Sequence, residues 1–208
     1  SALGPFELMA RLGAGWLAGR LVASGRPVPA YLSLAAEKGG FYATIDGRRN
    51  CLLPDGSHRP VARGEGVITI ADLKLAGKPV SDYGPAALWD LGDGVACLEF
   101  RTKMNTFSKE LLDAIGQAIT DVGKGFKALV IGSDSPVYSA GADLRVFLDT
   151  VEKGGAEALG TFIDQGHSTF KALKYAPFPV VGAPSGLAFG GGCEILLHCD
   201  AIQAHAEL

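Results

Sequence analysis

The chain has 208 residues, 48% hydrophobic and 20% charged, a balance that supports one or two packed cores and excludes a disordered polymer. A net charge of -3 without clusters of Lys or Arg provides no basic field for nucleic acid, and no apolar run reaches the ~20 residues that span a bilayer. The start lacks the basic-then-apolar pattern of a signal peptide, and Cys51, Cys97, Cys193 and Cys199 have no metal spacing, so a soluble, cytoplasmic protein with reduced thiols is expected.

Helical patterns come first. Phe6 to Ala10 leads to Gly13, Trp16 to Val22 stops at Gly25-Arg26-Pro27, and a third helix starts after Pro29. Residues 41–45 and 48–53 read as a hairpin, because Asp46-Gly47 suits the positive-φ turn that matches strand twist. From Asp55 to Tyr83 the pattern is polar and loose, with only Val67-Ile68-Thr69-Ile70 resembling a strand, and we read a linker. A second hairpin joins residues 86–90 to 95–100 around Gly92-Asp93-Gly94. Ser108 then caps a helix whose Leu111, Leu112, Ile115, Ala118, Ile119 and Val122 fall on one face of a 3.6-residue period. A strand at 128–131, a helix from about 160 to 173 and a strand at 178–183 complete a ββαβ order. The sequence shows no internal repeat.

Two turns carry the chemical signal. Gly190-Gly191-Gly192-Cys193-Glu194 runs into apolar Ile195-Leu196-Leu197, which reads as a loop entering a helix. Glycine lets a ligand approach bare amides, and a helix start leaves N–H donors pointing outward, so the place suits negative charge. About fifty residues earlier stands Ser139-Ala140-Gly141-Ala142-Asp143-Leu144, after an apolar run, so each turn can contribute one amide. A nucleotide-hydrolase phosphate loop would need Lys-Ser or Lys-Thr where Cys193-Glu194 stands, and the Gly-x-Gly-x-x-Gly of a dinucleotide fold is absent.

The pair A-G-A-D-hydrophobic and G-G-G-C-E resembles the crotonase superfamily of enoyl-CoA hydratases and isomerases, where these turns build one oxyanion hole. The likeness extends through Pro179 to Pro184 before the glycines and His198-Cys199-Asp200-Ala201 after them. It implies that the amides of Ala142 and Gly191 hold the thioester oxygen of an acyl-CoA and that Glu194 is a catalytic carboxylate. It also implies substrate contacts from Ala142, Asp143, Leu144, Arg145, Gly190 and Gly191. Arg145 fits either a coenzyme A phosphate or a solvated surface position, and Glu194 fits either catalysis or a favourable charge at a helix start. Phe147, Leu148 and Phe189 fit an acyl tunnel or plain core, and Cys193 and Cys199 read as small core residues. Glu194 and His198 share a helix face, but two ligands without a third do not make a metal site, and none is expected.

Residues 1–60 are similar to the helical carboxyl-terminal domain of 3-hydroxyacyl-CoA dehydrogenases, on the run Gly4-Pro5-Phe6-Glu7-Leu8-Met9-Ala10-Arg11-Leu12-Gly13 and on Gly25-Arg26-Pro27-Val28-Pro29. The expected fold is therefore α/β: a partial ββα superhelix of crotonase type over 85–208, preceded by a small helical dehydrogenase subdomain over 1–60 and a linker over 61–84. The layout resembles a bifunctional 3-hydroxyacyl-CoA dehydrogenase/enoyl-CoA hydratase of fatty-acid β-oxidation. The abrupt start at Ser1-Ala2-Leu3 and the stop at Glu207-Leu208 suggest a fragment straddling its domain junction. On that resemblance the NAD site lies upstream and a second catalytic glutamate beyond Leu208, unless Glu207 replaces it. This chain itself would take an acyl-CoA substrate and no cofactor, inside a homo-oligomer. Isomerase chemistry and a non-catalytic acyl-CoA-binding or assembly module remain the alternative readings.

Overall fold

The computed structural model describes residues 4–206, so Ser1, Ala2 and Leu3, together with Glu207 as a substitute carboxylate and Leu208, lie outside the described residues. The chain divides into two compact units, Ser1–Gly77 and Lys78–Leu208.

In the first unit, α1 (Pro5–Leu12), α2 (Ala14–Ala23) and α3 (Ala30–Glu37) form where the apolar periodicity places them. Strands β1 (Tyr42–Ile45), β2 (Arg48–Leu52) and β3 (His58–Pro60) follow as an antiparallel sheet. Asp46 and Gly47 both take positive φ, at 50° and 69°, as the Asp-Gly turn requires. Leu32, Ala35, Phe41 and Leu52 form the core, and Tyr31 donates its hydroxyl to the Leu52 carbonyl.

Where a strand was expected at 67–70, the chain instead enters α4 (Ile70–Ala76). The Thr69 hydroxyl accepts from the Asp72 amide at 3.2 Å, and Arg63 holds the Asp72 carboxylate with two hydrogen bonds of 2.7 and 2.8 Å. Capping thus overrides the β-branched run Val67-Ile68-Thr69, which has no strand to pair with. Hydrogen bonding from Arg63 and then Thr69 outweighs desolvation and holds the Asp72 carboxyl below the usual carboxylate range. The stretch read as a linker therefore contains α4 in the first unit and an edge strand in the second.

That edge strand is β4 (Ser81–Asp82), too short and polar to show alternation. The second unit continues with β5 (Ala86–Gly92), β6 (Val95–Phe100) and α5 (Lys109–Gly125), then β7 (Ala128–Gly132), β8 (Val137–Ser139) and α6 (Leu144–Lys174). After these come β9 (Val180–Ala183), β10 (Leu187–Ala188), α7 (Gly191–Leu196) and β11 (Ala201–Ile202). The main sheet has the order β11-β9-β7-β6-β5-β4, antiparallel across β4, β5 and β6 and parallel from β6 to β11.

A separate parallel pair joins β8 to β10. Two successive ββα turns, β7-β8-α6 and β9-β10-α7, thus stack strand on strand, and the superhelix is visible in pairing where no sequence repeat shows it. The Ser108 hydroxyl caps α5 as read, accepting from the Leu111 amide at 3.4 Å. Leu111, Leu112, Ile115, Ala118 and Val122 are buried with Leu98, Leu129, Ile131, Phe170 and Leu173 in one core. The expected helix at 160–173 is the second half of α6, which begins at Leu144 and breaks at Gly155, where φ is 67°. Its first half, largely exposed, has too weak an apolar stripe to read.

Candidate active site

The parallel pairing of β8 with β10 brings the two glycine turns together, because each turn leaves from the carboxyl end of one of these strands. Phe189 donates to the Ser139 carbonyl at 2.9 Å, and the buried Ser139 hydroxyl, which donates to the Asn105 carbonyl, accepts from the Gly141 amide at 3.1 Å. Glycine is required here on steric grounds. A Cβ on Gly141, where φ is 82°, would lie 2.8 Å from the Phe189 carbonyl oxygen and 3.0 Å from the Gly191 nitrogen.

Pairing decides which amides stay available. Phe107 donates to the Gly141 carbonyl at 2.8 Å and accepts from the Asp143 amide at 3.1 Å. This bridge engages the residues flanking Ala142 and directs the N–H of Ala142 itself away from the pairing. Gly191 opens α7, so its N–H precedes the helical hydrogen bonds, while Gly192 donates to Phe189 and Cys193 and Glu194 both donate to Gly190. Among the described residues neither Ala142 nor Gly191 has a hydrogen-bond acceptor for its amide.

Both residues line a cleft of about 140 Å³, walled by Phe107, Leu112, Phe147, Phe162, Ile163 and Phe170. Glu194 borders it too, its side chain 43% exposed. So does His167, which the sequence reading passed over. Its position on the face of α6 that also carries Ile163, Gly166 and Phe170 is the signal that was available, but that half-helix could be oriented only with its packing known. The His167 Nε2 lies 3.8 Å from Glu194 Oε1.

Other expected contacts fall elsewhere. The Asp143 carboxylate caps α6, accepting from the amides of Arg145 at 2.9 Å and Val146 at 3.4 Å, and Leu144 is 73% exposed outside the cleft. Arg145 is exposed, and Gly190 caps α7 with φ of 49° without lining the cleft. Phe147 lines the cleft, whereas Leu148 and Phe189 are exposed and do not. Cys193 is exposed rather than core, because it lies on the outer side of a helix that buries Gly192, Ile195 and Leu196. His198 is no ligand partner for the Glu194 carboxylate. It meets the Glu194 backbone carbonyl through Nδ1 at 2.8 Å, which places the proton on that nitrogen, and it packs beside Phe170. The described residues contain no cluster of three or more metal-ligating side chains, and no helix among them is long and apolar enough to cross a membrane.

Comparison with known proteins bears on this arrangement. The enoyl-CoA hydratase/isomerase family profile matches residues 91–207. A Bacillus subtilis protein named "Probable 3-hydroxyacyl-CoA dehydrogenase" is 31% identical over 99% of this chain, which spans 26% of that protein. A Rickettsia felis protein named as a fatty acid oxidation complex trifunctional enzyme is 35% identical over 51% of this chain and 15% of its own length. The chain thus spans about a quarter or less of these curated relatives. Among solved structures, human enoyl Coenzyme A hydratase domain-containing protein 3 superposes with a TM-score of 0.53 over 58% of this chain and 47% of its own, at 26% identity.

Proposed function

Because the chain belongs to the enoyl-CoA hydratase/isomerase family, we propose that the protein containing it adds water to trans-2-enoyl-CoA thioesters in fatty-acid β-oxidation. One observation carries this reading: two backbone N–H groups without acceptors, from Ala142 and Gly191, border the same cleft as the Glu194 carboxylate.

Water addition at the β-carbon moves charge onto the thioester oxygen. Donors held by strand pairing are already oriented toward that charge and stabilise the enolate-like transition state more than the substrate. Each such donor contributes roughly 3–4 kcal/mol in well-studied acyl-transfer sites. Glu194 removes a proton from the attacking water while a second acid delivers one to the α-carbon. In this reading the second acid is a glutamate beyond Leu208. The apolar walls hold the acyl chain, and Arg145 reaches a coenzyme A phosphate.

The names of the relatives support a longer parent that also carries an NAD-dependent 3-hydroxyacyl-CoA dehydrogenase upstream, with residues 1–60 as the end of that region. We place that parent in the cytoplasm as a homo-oligomer, with no cofactor bound by the present chain.

The test is steady-state hydration of crotonyl-CoA by the full-length protein and its Glu194→Gln variant. Turnover should fall at least ~100-fold while acyl-CoA binding stays within a few-fold, because the change removes proton transfer and keeps shape. Near-normal turnover in the variant refutes the role of Glu194. Acyl-CoA binding without turnover in the wild type would favour a binding module instead.

A further inference from the structure

Glu194 has a flexible side chain, yet among the described residues its carboxylate accepts no hydrogen bond, and the side chain that meets it within ion-pair distance is the His167 imidazole. The two are carried by separate elements that the core holds independently. Phe170 and Leu173 anchor the second half of α6, and Ile195 and Leu196 anchor α7. His167 and Glu194 are also the two titratable side chains among eleven residues lining the cleft, the rest being apolar or glycine.

We propose that His167 is a positioning residue for Glu194: its imidazolium draws the carboxylate to the cleft wall it shares with α6, where it can hold the attacking water, and leaves the Ala142 and Gly191 amides to the thioester oxygen. At 3.8 Å the pair is too long for a hydrogen bond, so the attraction is that of charge and requires protonated His167. With 56% and 43% of the two side chains exposed, solvent screens the pair in the open cleft. An acyl chain seated against Phe107, Phe162 and Phe170 would displace that solvent and strengthen the pair when the base is needed. The inference rests on the hydratase reading for its purpose but not for the existence of the pair.

Other charges around His167 are accounted for. Asp164 and Lys171 stand about one turn to either side along α6, with opposite signs. Asp113 on α5 is engaged by Gln165 at 2.7 Å, and His198 bonds the Glu194 backbone carbonyl rather than its carboxylate.

Two measurements test the proposal. By NMR of the 208-residue chain at fixed pH, the His167 ring resonances should move in the Glu194→Gln variant while those of His58 stay in place, since only His167 faces that carboxylate. Unmoved His167 resonances overturn the pair, whatever the protein catalyses. In the full-length protein with crotonyl-CoA, His167→Ala should lower kcat about 10-fold or more with KM within about 3-fold, and added imidazole should restore part of the loss. His167→Gln, which cannot carry charge, should lose kcat without imidazole rescue. Unchanged kcat in both variants, or a loss that imidazole leaves untouched in His167→Ala, overturns the positioning role. A wild type that binds but does not hydrate refutes the hydratase reading alone, and the NMR comparison then still decides the pair.

Discussion

At the scale of single residues, the site depends on positions where a side chain has no room. Gly141 combines φ of 82° with a site where an added Cβ would meet backbone atoms of the opposite turn at 2.8 and 3.0 Å, neither of which can yield without opening the β8–β10 pairing. At Gly191 an added Cβ would meet the ring of Phe107 at 3.1 Å, a side chain that can shift by tenths of an ångström. Gly141→Ala should therefore damage turnover more than Gly191→Ala, while Gly191→Val should abolish turnover or binding through its added bulk. Hydration kinetics, with circular dichroism as the folding control, would contradict this if Gly141→Ala retained full activity.

The cysteines separate on similar grounds. Burial pushes the Cys97 thiol up to about 12 and the Cys199 thiol up to about 11, Asp200 adding to the latter, whereas Cys193 is exposed. Alkylation proceeds through the thiolate. Iodoacetamide at pH 8 should label Cys193 first and leave Cys97 and Cys199 protected until unfolding, as peptide mass spectrometry can read. Equal labelling rates for Cys193 and Cys97 would overturn this ordering.

At the scale of elements, α5 shows how local and long-range signals agree. Ser108 caps its start, Phe126 follows its end, and its apolar face is the inner surface of the second unit's core. Ile115 is fully buried at the centre of that face. Ile115→Ala should cost about 2–5 kcal/mol by lost burial plus cavity, measured as a lower denaturation midpoint at unchanged m value. A loss under about 1 kcal/mol would mean that the site collapses freely. α4 is the contrasting element, since the run at 67–70 that leads into it suggested a strand and the Thr69 cap decided otherwise. Propensity there lost to the hydrogen bonds among Thr69, Asp72 and Arg63.

At the scale of the whole molecule, the reading assigns this chain one of the two acid–base groups of a hydratase and no nicotinamide site. The isolated 208 residues should therefore neither reduce NAD with 3-hydroxyacyl-CoA nor hydrate crotonyl-CoA at the parent's rate. Coupled spectrophotometric assays test both, and hydration at the full rate would show that a second glutamate is unnecessary.

Much of this was written in residue order. Both hairpins, the capped helix α5 and the glycine entry to α7 follow from periodicity and turn chemistry, which act over a few residues, and the two motifs named the family that the profile over residues 91–207 confirms. Other features depend on contacts between distant segments. Leu144 and Arg145 lie outside the cleft lining, and Cys193 is exposed, because each orientation is set by which face of α6 or α7 meets the core. The meeting of His167 with Glu194, 27 residues apart, arises because α6 and α7 are packed by strands that pair across the chain, and no local period encodes that pairing.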